Sequence, residues 1–157
     1  MKDRAQRSYV GVDVSKEHLD VAFHPTGKHY CFPNDLDGID GLIRHLLEEW
    51  PTLVVLEASG GYERPAAAAL AARGLAVAVV NPRQARDFAK ATGRLAKTDA
   101  LDAHSLARFA EAVRPEPRVL PDEETLLLGE ILDRRRQLIG MLVVPRTTAS
   151  PGPFPSR

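Results

Sequence analysis

The chain has 157 residues, of which 44% are hydrophobic, and its 21 Lys and Arg residues balance its 21 Asp and Glu residues. This length allows one core of ordinary domain size, and the zero formal net charge excludes an overall polycationic nucleic-acid binder. The single cysteine, Cys31, excludes an intramolecular disulfide. The N-terminus lacks an apolar signal core, and no apolar run approaches about 18 residues, so we expect a cytoplasmic protein with no membrane partner.

The first 51 residues predict three strands and a helix. Alternating apolar residues in "YVGVDVS" and "LDVAFHP" predict two strands joined by a tight link at residues 15–18. A third strand is predicted at "KHYCFPN". A helix then opens at Asp37, continues with apolar residues at helical spacing and stops at Pro51.

Two further strands are predicted where the sequence becomes continuously apolar. The runs "TLVVLEAS" and "LAVAVVNP" are typical of strands covered on both faces, and an alanine-rich helix closed by Gly74 separates them. Residues 83–113 are predicted to be helical, with an interruption around Thr92 and Gly93. This order of elements predicts an α/β fold with a mixed sheet flanked by helices over residues 1–113.

The remainder of the chain predicts a linker, a helix and a tail. Residues 114–121 contain three prolines and are predicted to be a linker. Residues 122–143 are predicted to form a coiled-coil-type helix, and residues 144–157 a disordered tail. The helix carries an apolar stripe of Leu128, Ile131, Leu132, Leu138, Ile139 and Leu142. Because it has little of its own domain to pack against, we expect it to pair with its copy in a dimer. The alternative is that it folds back onto the α/β core in a monomer.

Asp13 lies in the middle of a strand, on the face opposite its neighbouring valines. An unpaired buried carboxylate is costly, so Asp13 requires a partner, a turn position or a metal ion. Glu57 ends the first continuously apolar strand. If the strands of Asp13 and Glu57 are adjacent and parallel, both acids lie at a common edge of the sheet.

A second pair of acids, Asp99 and Asp102, is separated by three positions in a predicted helix. Such residues are neighbours on one helical face, with roughly 5–6 Å between Cβ atoms. Asp102 continues the stripe of Leu106, Phe109 and Val113, which predicts that the acid pair points inward. The alternative is that Asp99 caps the helix N-terminus and forms a capping box with Asp102.

Grouped carboxylates without a lysine or arginine among them repel one another unless divalent cations lie between them. Two ions about 3.5–4 Å apart, held by such acids, activate water and stabilise a leaving oxygen in phosphodiester cleavage. Hard oxygen ligands favour magnesium or manganese over zinc. These residues therefore predict a Mg²⁺ or Mn²⁺ site.

The segment from residue 83 to residue 97 is locally basic. Its cations are Arg83, Arg86, Lys90, Arg94 and Lys97. They form either a solvated helix face or a surface that contacts nucleic-acid phosphates.

Three motifs resemble the signatures of the DEDD transposases, insertion-sequence recombinases whose N-terminal domain is similar to the RuvC resolvase. The motifs are "VGVDVSK", "LEASGGYE" and "KTDALDA", and the resemblance covers roughly residues 9–141. It implies a ribonuclease-H-like fold in which a catalytic tetrad binds Mg²⁺ or Mn²⁺, namely Asp13, Glu57, Asp99 and Asp102. It also implies DNA cleavage and strand exchange directed by a bridge RNA, and a homo-oligomer through residues 122–143. Lys16, within the first motif, joins the five cations above as a nucleic-acid-binding candidate.

The resemblance stops near the end of the chain. Members of this family continue into a coiled coil and a second domain with a catalytic serine, whereas this sequence turns into "VVPRTTASPGPFPSR". We therefore expect a truncated domain that is impaired alone, and no serine role is assigned to Ser150 or Ser156. A non-enzymatic fragment that binds nucleic acid or a partner is the main alternative. An actin-like or sugar-kinase ATPase is the minor one, because "GVDVSK" resembles the first phosphate loop of that superfamily.

Overall fold

The computed structural model describes residues 7–93, 102–117 and 123–142. The strands are β1 (Tyr9–Val14), β2 (His18–His24), β3 (His29–Pro33), β4 (Leu53–Glu57) and β5 (Val77–Val80). The helices are α1 (Leu36–Glu49), α2 (Arg64–Ala72), α3 (Pro82–Ala91), α4 (Ala103–Val113) and α5 (Glu123–Leu142). None of the described helices has both the length and the apolar character needed to cross a membrane.

The strands form one mixed sheet in the order β3-β2-β1-β4-β5. Strands β1, β2 and β3 pair antiparallel as a meander, whereas β4 runs parallel to both β1 and β5. The parallel pairs require crossover connections, which α1 and α2 supply. The predicted mixed α/β sheet flanked by helices is therefore confirmed.

Each face of the sheet is covered by its own hydrophobic core. On one face, Val10, Val12 and Val14 of β1 pack with buried residues of α1 and α2. On the other face, Val55 of β4 packs with Phe109 and other buried residues of α3 and α4. Because alternate strand residues point to opposite faces, the continuous apolar run of β4 supplies both cores at once.

Two predicted apolar positions are more exposed than expected. Val79 in β5 is 39% exposed, because β5 is an edge strand rather than a strand covered throughout. Val113 is 49% exposed at the last position of α4, whereas Leu106 and Phe109 earlier in the helix are buried. The predicted α4 stripe therefore ends before Val113.

The prediction that the C-terminal helix has little of its own domain to pack against is wrong. Helix α5 packs against α2, and Leu132 contacts the core beneath α1 and α2. Ion pairs join α5 to both helices: Arg73–Asp133, Arg135–Asp37 and Arg136–Asp40. The C-terminal part of α5 still exposes Leu138, Ile139, Met141 and Leu142. Residues 118–122 of the predicted linker and helix start, and the predicted tail, lie outside the described residues.

Candidate functional site

Asp13 and Glu57 lie at the carboxyl ends of two adjacent parallel strands. The pairing of β1 with β4 runs from Tyr9 opposite Leu53 to Val12 opposite Leu56, and the two acids follow directly. Both side chains are partly buried. The strand arrangement on which a common carboxylate edge depends is therefore confirmed.

Helix α4 crosses this part of the sheet at very close range above Gly11. A Cβ atom at Gly11 would lie 2.2 Å from the Ala103 carbonyl oxygen and 2.4 Å from the Ala107 backbone nitrogen. Only a residue without a side chain fits under the helix there. Because Gly11 and Asp13 share a face of β1, the start of α4 lies on the same side of the sheet as the Asp13 carboxylate.

Asp102 is the N-cap of α4 and not a residue within the helix. Its Oδ1 atom accepts a hydrogen bond from the Ser105 backbone N–H at 2.7 Å, and its backbone is extended. Asp102 is exposed, so the prediction that it continues the inward stripe is wrong. The alternative interpretation placed the cap at Asp99, whereas the N-cap of α4 is Asp102, since the helix begins at Ala103. Asp99 itself lies outside the described residues.

The charges of these acids act on one another. Burial raises the pKa of Asp13, and the nearby Asp20 and Asp102 carboxylates raise it further. Burial also raises the pKa of Glu57, as does Asp13, while the positive charge of Arg86 lowers it. Asp13, Glu57 and Asp102 are therefore electrostatic neighbours. The expectation that no lysine or arginine lies among the acids stays a prediction, because Arg86 acts on Glu57 by charge alone and Arg94 and Lys97 lie outside the described residues.

Asp20 is a neighbour of Asp13 that was not predicted from the sequence. The two residues are directly opposite in the antiparallel β1–β2 pair. Like charges at opposed positions destabilise a sheet. The signal was present in the sequence, because the short link after Val14 fixes the hairpin register and hence the pairing of Asp13 with Asp20.

The donor set fits a hard divalent cation. The carboxylate oxygens of Asp13, Glu57 and Asp102 are ligands that Mg²⁺ and Mn²⁺ prefer. Burial is the largest cause of the raised pKa values of Asp13 and Glu57, so a bound cation would favour their charged forms. Among the described residues, however, no three His, Cys, Asp or Glu side chains are already arranged around a common ion position. Asp99, the fourth predicted ligand, lies outside the described residues.

The predicted basic surface is present on α3 in its described part. Arg83, Arg86 and Lys90 are exposed, and their spacing of three and four residues places them on one helical face. Lys16 is exposed in the link between β1 and β2. Arg94 and Lys97 lie outside the described residues. Of the three cations on α3, Arg86 is the one whose charge acts on Glu57.

The loop after Glu57 is braced by side chains that the sequence analysis did not identify. The Glu63 carboxylate accepts hydrogen bonds from the backbone N–H groups of Ser59 and Gly61, both at 3.0 Å. The Ser59 hydroxyl donates to the Val14 carbonyl at 2.9 Å. Burial alone would raise the pKa of Glu63, but the backbone hydrogen bonds and the charge of Arg64 lower it overall. Glu63 therefore stays ionised and fixes the loop beside the end of β1.

Comparison with known proteins finds a matching family and curated relatives. Residues 10–148 match the transposase family DEDD_Tnp_IS110. Pilin gene-inverting proteins of Moraxella lacunata and Moraxella bovis are each 27% identical to the chain over 147 residues. The match covers 90% of the chain and 46% of each of these relatives. The chain therefore spans about half the length of the curated relatives it matches.

Proposed function

The chain belongs to the DEDD transposase family and has its ribonuclease-H-like α/β fold, and on that premise we propose that it is the N-terminal catalytic domain of a DNA recombinase. In this proposal, divalent metal bound by four carboxylates supports cleavage of DNA phosphodiester bonds and strand exchange. The observation that carries it is the position of Asp13 and Glu57 at the ends of adjacent parallel strands, with the start of α4 on the same side. The family match favours this function over the ATPase alternative.

The proposed metal ligands are Asp13, Glu57, Asp99 and Asp102. When bound, Mg²⁺ or Mn²⁺ would supply Lewis-acid stabilisation of charge on the scissile phosphate. Asp13 and Glu57 are held by the strands of the sheet, whereas Asp102 is held by the hydrogen bond that it accepts at the start of α4. Arg86, whose positive charge acts on Glu57, would attract the DNA backbone toward these acids.

Cleavage activity distinguishes a catalytic domain from a non-enzymatic binding fragment. We expect the chain to nick DNA in Mn²⁺ but not in EDTA, and Glu57→Gln to lose at least about 100-fold in rate, since each ligand of such a site is needed to stabilise the transition state. The measurement is a gel-based assay of labelled DNA. Glu48→Gln is the matched control, because Glu48 is exposed near the end of α1. Intact affinity for DNA with no metal-dependent nicking would identify the non-enzymatic alternative.

We further propose that the α3 cations contact nucleic-acid phosphates, together with Lys16, Arg94 and Lys97. Each phosphate contact releases counterions, so replacing Arg83 or Lys90 by Ala should reduce the slope of log affinity against log salt by about 1. Fluorescence anisotropy across a salt series measures this slope. Arg44→Ala serves as the control because Arg44 is exposed on α1, which covers the opposite face of the sheet. Equal slopes in all variants would instead indicate a solvated helix face.

A bridge RNA and a second copy of the chain are the remaining proposed partners. The Moraxella relatives are named for inversion of a pilin gene, and we propose a role in DNA inversion for this chain. Residues 1–113 would form the catalytic domain, and residues 122–143 would contact another copy through the exposed Leu138, Ile139, Met141 and Leu142. Light scattering at tens of micromolar should give a dimer mass that Leu138→Asp together with Leu142→Asp reduces to a monomer mass. A monomer mass for the parent chain would contradict the dimer.

A further inference from the structure

We propose that Tyr62 is a stacking platform for an unpaired nucleobase next to the phosphodiester at the Asp13–Glu57 site. This inference rests on the proposed function and deepens it, because it assigns the site a substrate with at least one base outside the double helix.

The Tyr62 loop emerges from the same edge of the sheet as the carboxylates. Glu57 ends β4, and residues 58–63 connect it to α2. Asn34 joins this loop to the link that follows β1: its Nδ2 atom donates to the Ser15 carbonyl at 2.8 Å and to the Tyr62 carbonyl at 3.2 Å. Asn34 therefore links the Tyr62 backbone by hydrogen bonds to Ser15, two residues after Asp13.

Tyr62 is an exposed aromatic residue on a backbone with defined supports. It is 48% exposed, although neighbouring Glu63 is buried. Gly60 and Gly61 adopt left-handed conformations with φ values of 66° and 105°, which form the tight turn before Tyr62. The carboxylate of Glu63 holds this turn through the Ser59 and Gly61 N–H groups. A ring presented from a fixed loop loses little conformational entropy when a base stacks on it.

Cationic side chains accompany the exposed ring. Arg64 follows two residues later at the start of α2, and Lys16 lies in the β1–β2 link that Asn34 joins to Tyr62; both are exposed. An aromatic face with nearby cations matches how proteins bind single-stranded nucleic acid: bases stack on rings while Lys and Arg contact phosphates. A fully paired duplex offers no free base face at this position. The geometry therefore favours a strand with an unpaired base.

The test uses the full chain, metal-free buffer and a short single-stranded DNA containing one 2-aminopurine, whose fluorescence is quenched on stacking. We expect binding to quench the fluorescence, and Tyr62→Ala to remove the quenching and weaken affinity by about tenfold. Tyr62→Phe should retain both, since stacking requires the ring and not the hydroxyl. Trp50→Ala is the matched control. Trp50 is 58% exposed but precedes β4, at the opposite end of that strand from Glu57.

Several outcomes would overturn the proposal. The proposal is wrong if Tyr62→Ala leaves quenching and affinity unchanged. It is also wrong if Trp50→Ala or Tyr62→Phe loses as much quenching and affinity as Tyr62→Ala. Equal binding of a fully paired duplex would also overturn it. Parallel arms with RNA and DNA of the same sequence show which strand supplies the base. Because the assay contains no metal, loss of stacking is distinguishable from failure of the carboxylate site, which the nicking assay reports.

Discussion

Replacing Gly11 by Ala should lower the free energy of unfolding by about 3 kcal/mol, the upper end of typical overpacking costs. The added methyl group would overlap the backbone of α4 at Ala103 and Ala107, which cannot move aside as a flexible side chain would. The helix must shift as a whole, and Asp102 at its N-cap shifts with it. Urea denaturation followed by circular dichroism measures the loss.

Gly41→Ala is the matched control for this substitution. Gly41 lies within α1, and a Cβ atom there would make ordinary contacts at 3.5 Å with the Phe32 ring. Ala is also the better helix former by up to about 1 kcal/mol, so this variant should be as stable as the parent or more stable. If Gly11→Ala were as stable as Gly41→Ala, the close approach of α4 to β1 would be incorrect.

Replacing Asp13 by Asn should stabilise the metal-free protein at neutral pH. Burial and the Asp20 and Asp102 carboxylates disfavour the charged form of Asp13, and Asn removes that charge while keeping the shape. The same variant should lose the stabilisation that Mn²⁺ gives the parent chain, because a metal ligand has been removed. Thermal unfolding in EDTA and in Mn²⁺ measures both effects.

The pH dependence follows from the direction of the pKa shift. The pKa of Asp13 is raised in the folded state, so the folded chain holds this proton more tightly than the unfolded chain. Below the ordinary pKa of an aspartate, Asp13 is protonated in both the folded and the unfolded chain, so its charge does not lower the stability of the fold. As the pH rises through the raised pKa of Asp13, the parent loses stability relative to Asp13→Asn. A parent chain more stable than Asp13→Asn at neutral pH in EDTA would contradict this account.

The sheet and its carboxylate edge were predictable because both depend on local patterns. Alternation identified β1 and β2, and continuous apolar runs identified β4 and β5. Once β1 and β4 are neighbours in parallel, the positions of Asp13 and Glu57 along their strands place them at one edge. The prediction needed strand identity and the condition that β1 and β4 be adjacent and parallel, which the structure meets.

The errors concern features that depend on tertiary packing. A run of helix-forming residues could not show that the helix begins after Asp102, because an aspartate suits both a first turn and an N-cap. The apolar stripe of α5 indicated that the helix needs a partner but not which one. In the structure the helix packs against α2, and exposed ion pairs from Asp133 and Arg135 accompany this contact. No local signal in the sequence reveals such long-range packing.

The central claim is that the acids at the ends of β1 and β4 bind a divalent cation, and calorimetric titration with Mn²⁺ tests it most directly. The parent chain should bind Mn²⁺, Glu48→Gln should bind it equally well, and Asp13→Asn should bind at least about 100-fold more weakly, since loss of a ligand costs more than loss of an outer partner. Equal Mn²⁺ binding by Asp13→Asn and the parent chain would contradict the claim.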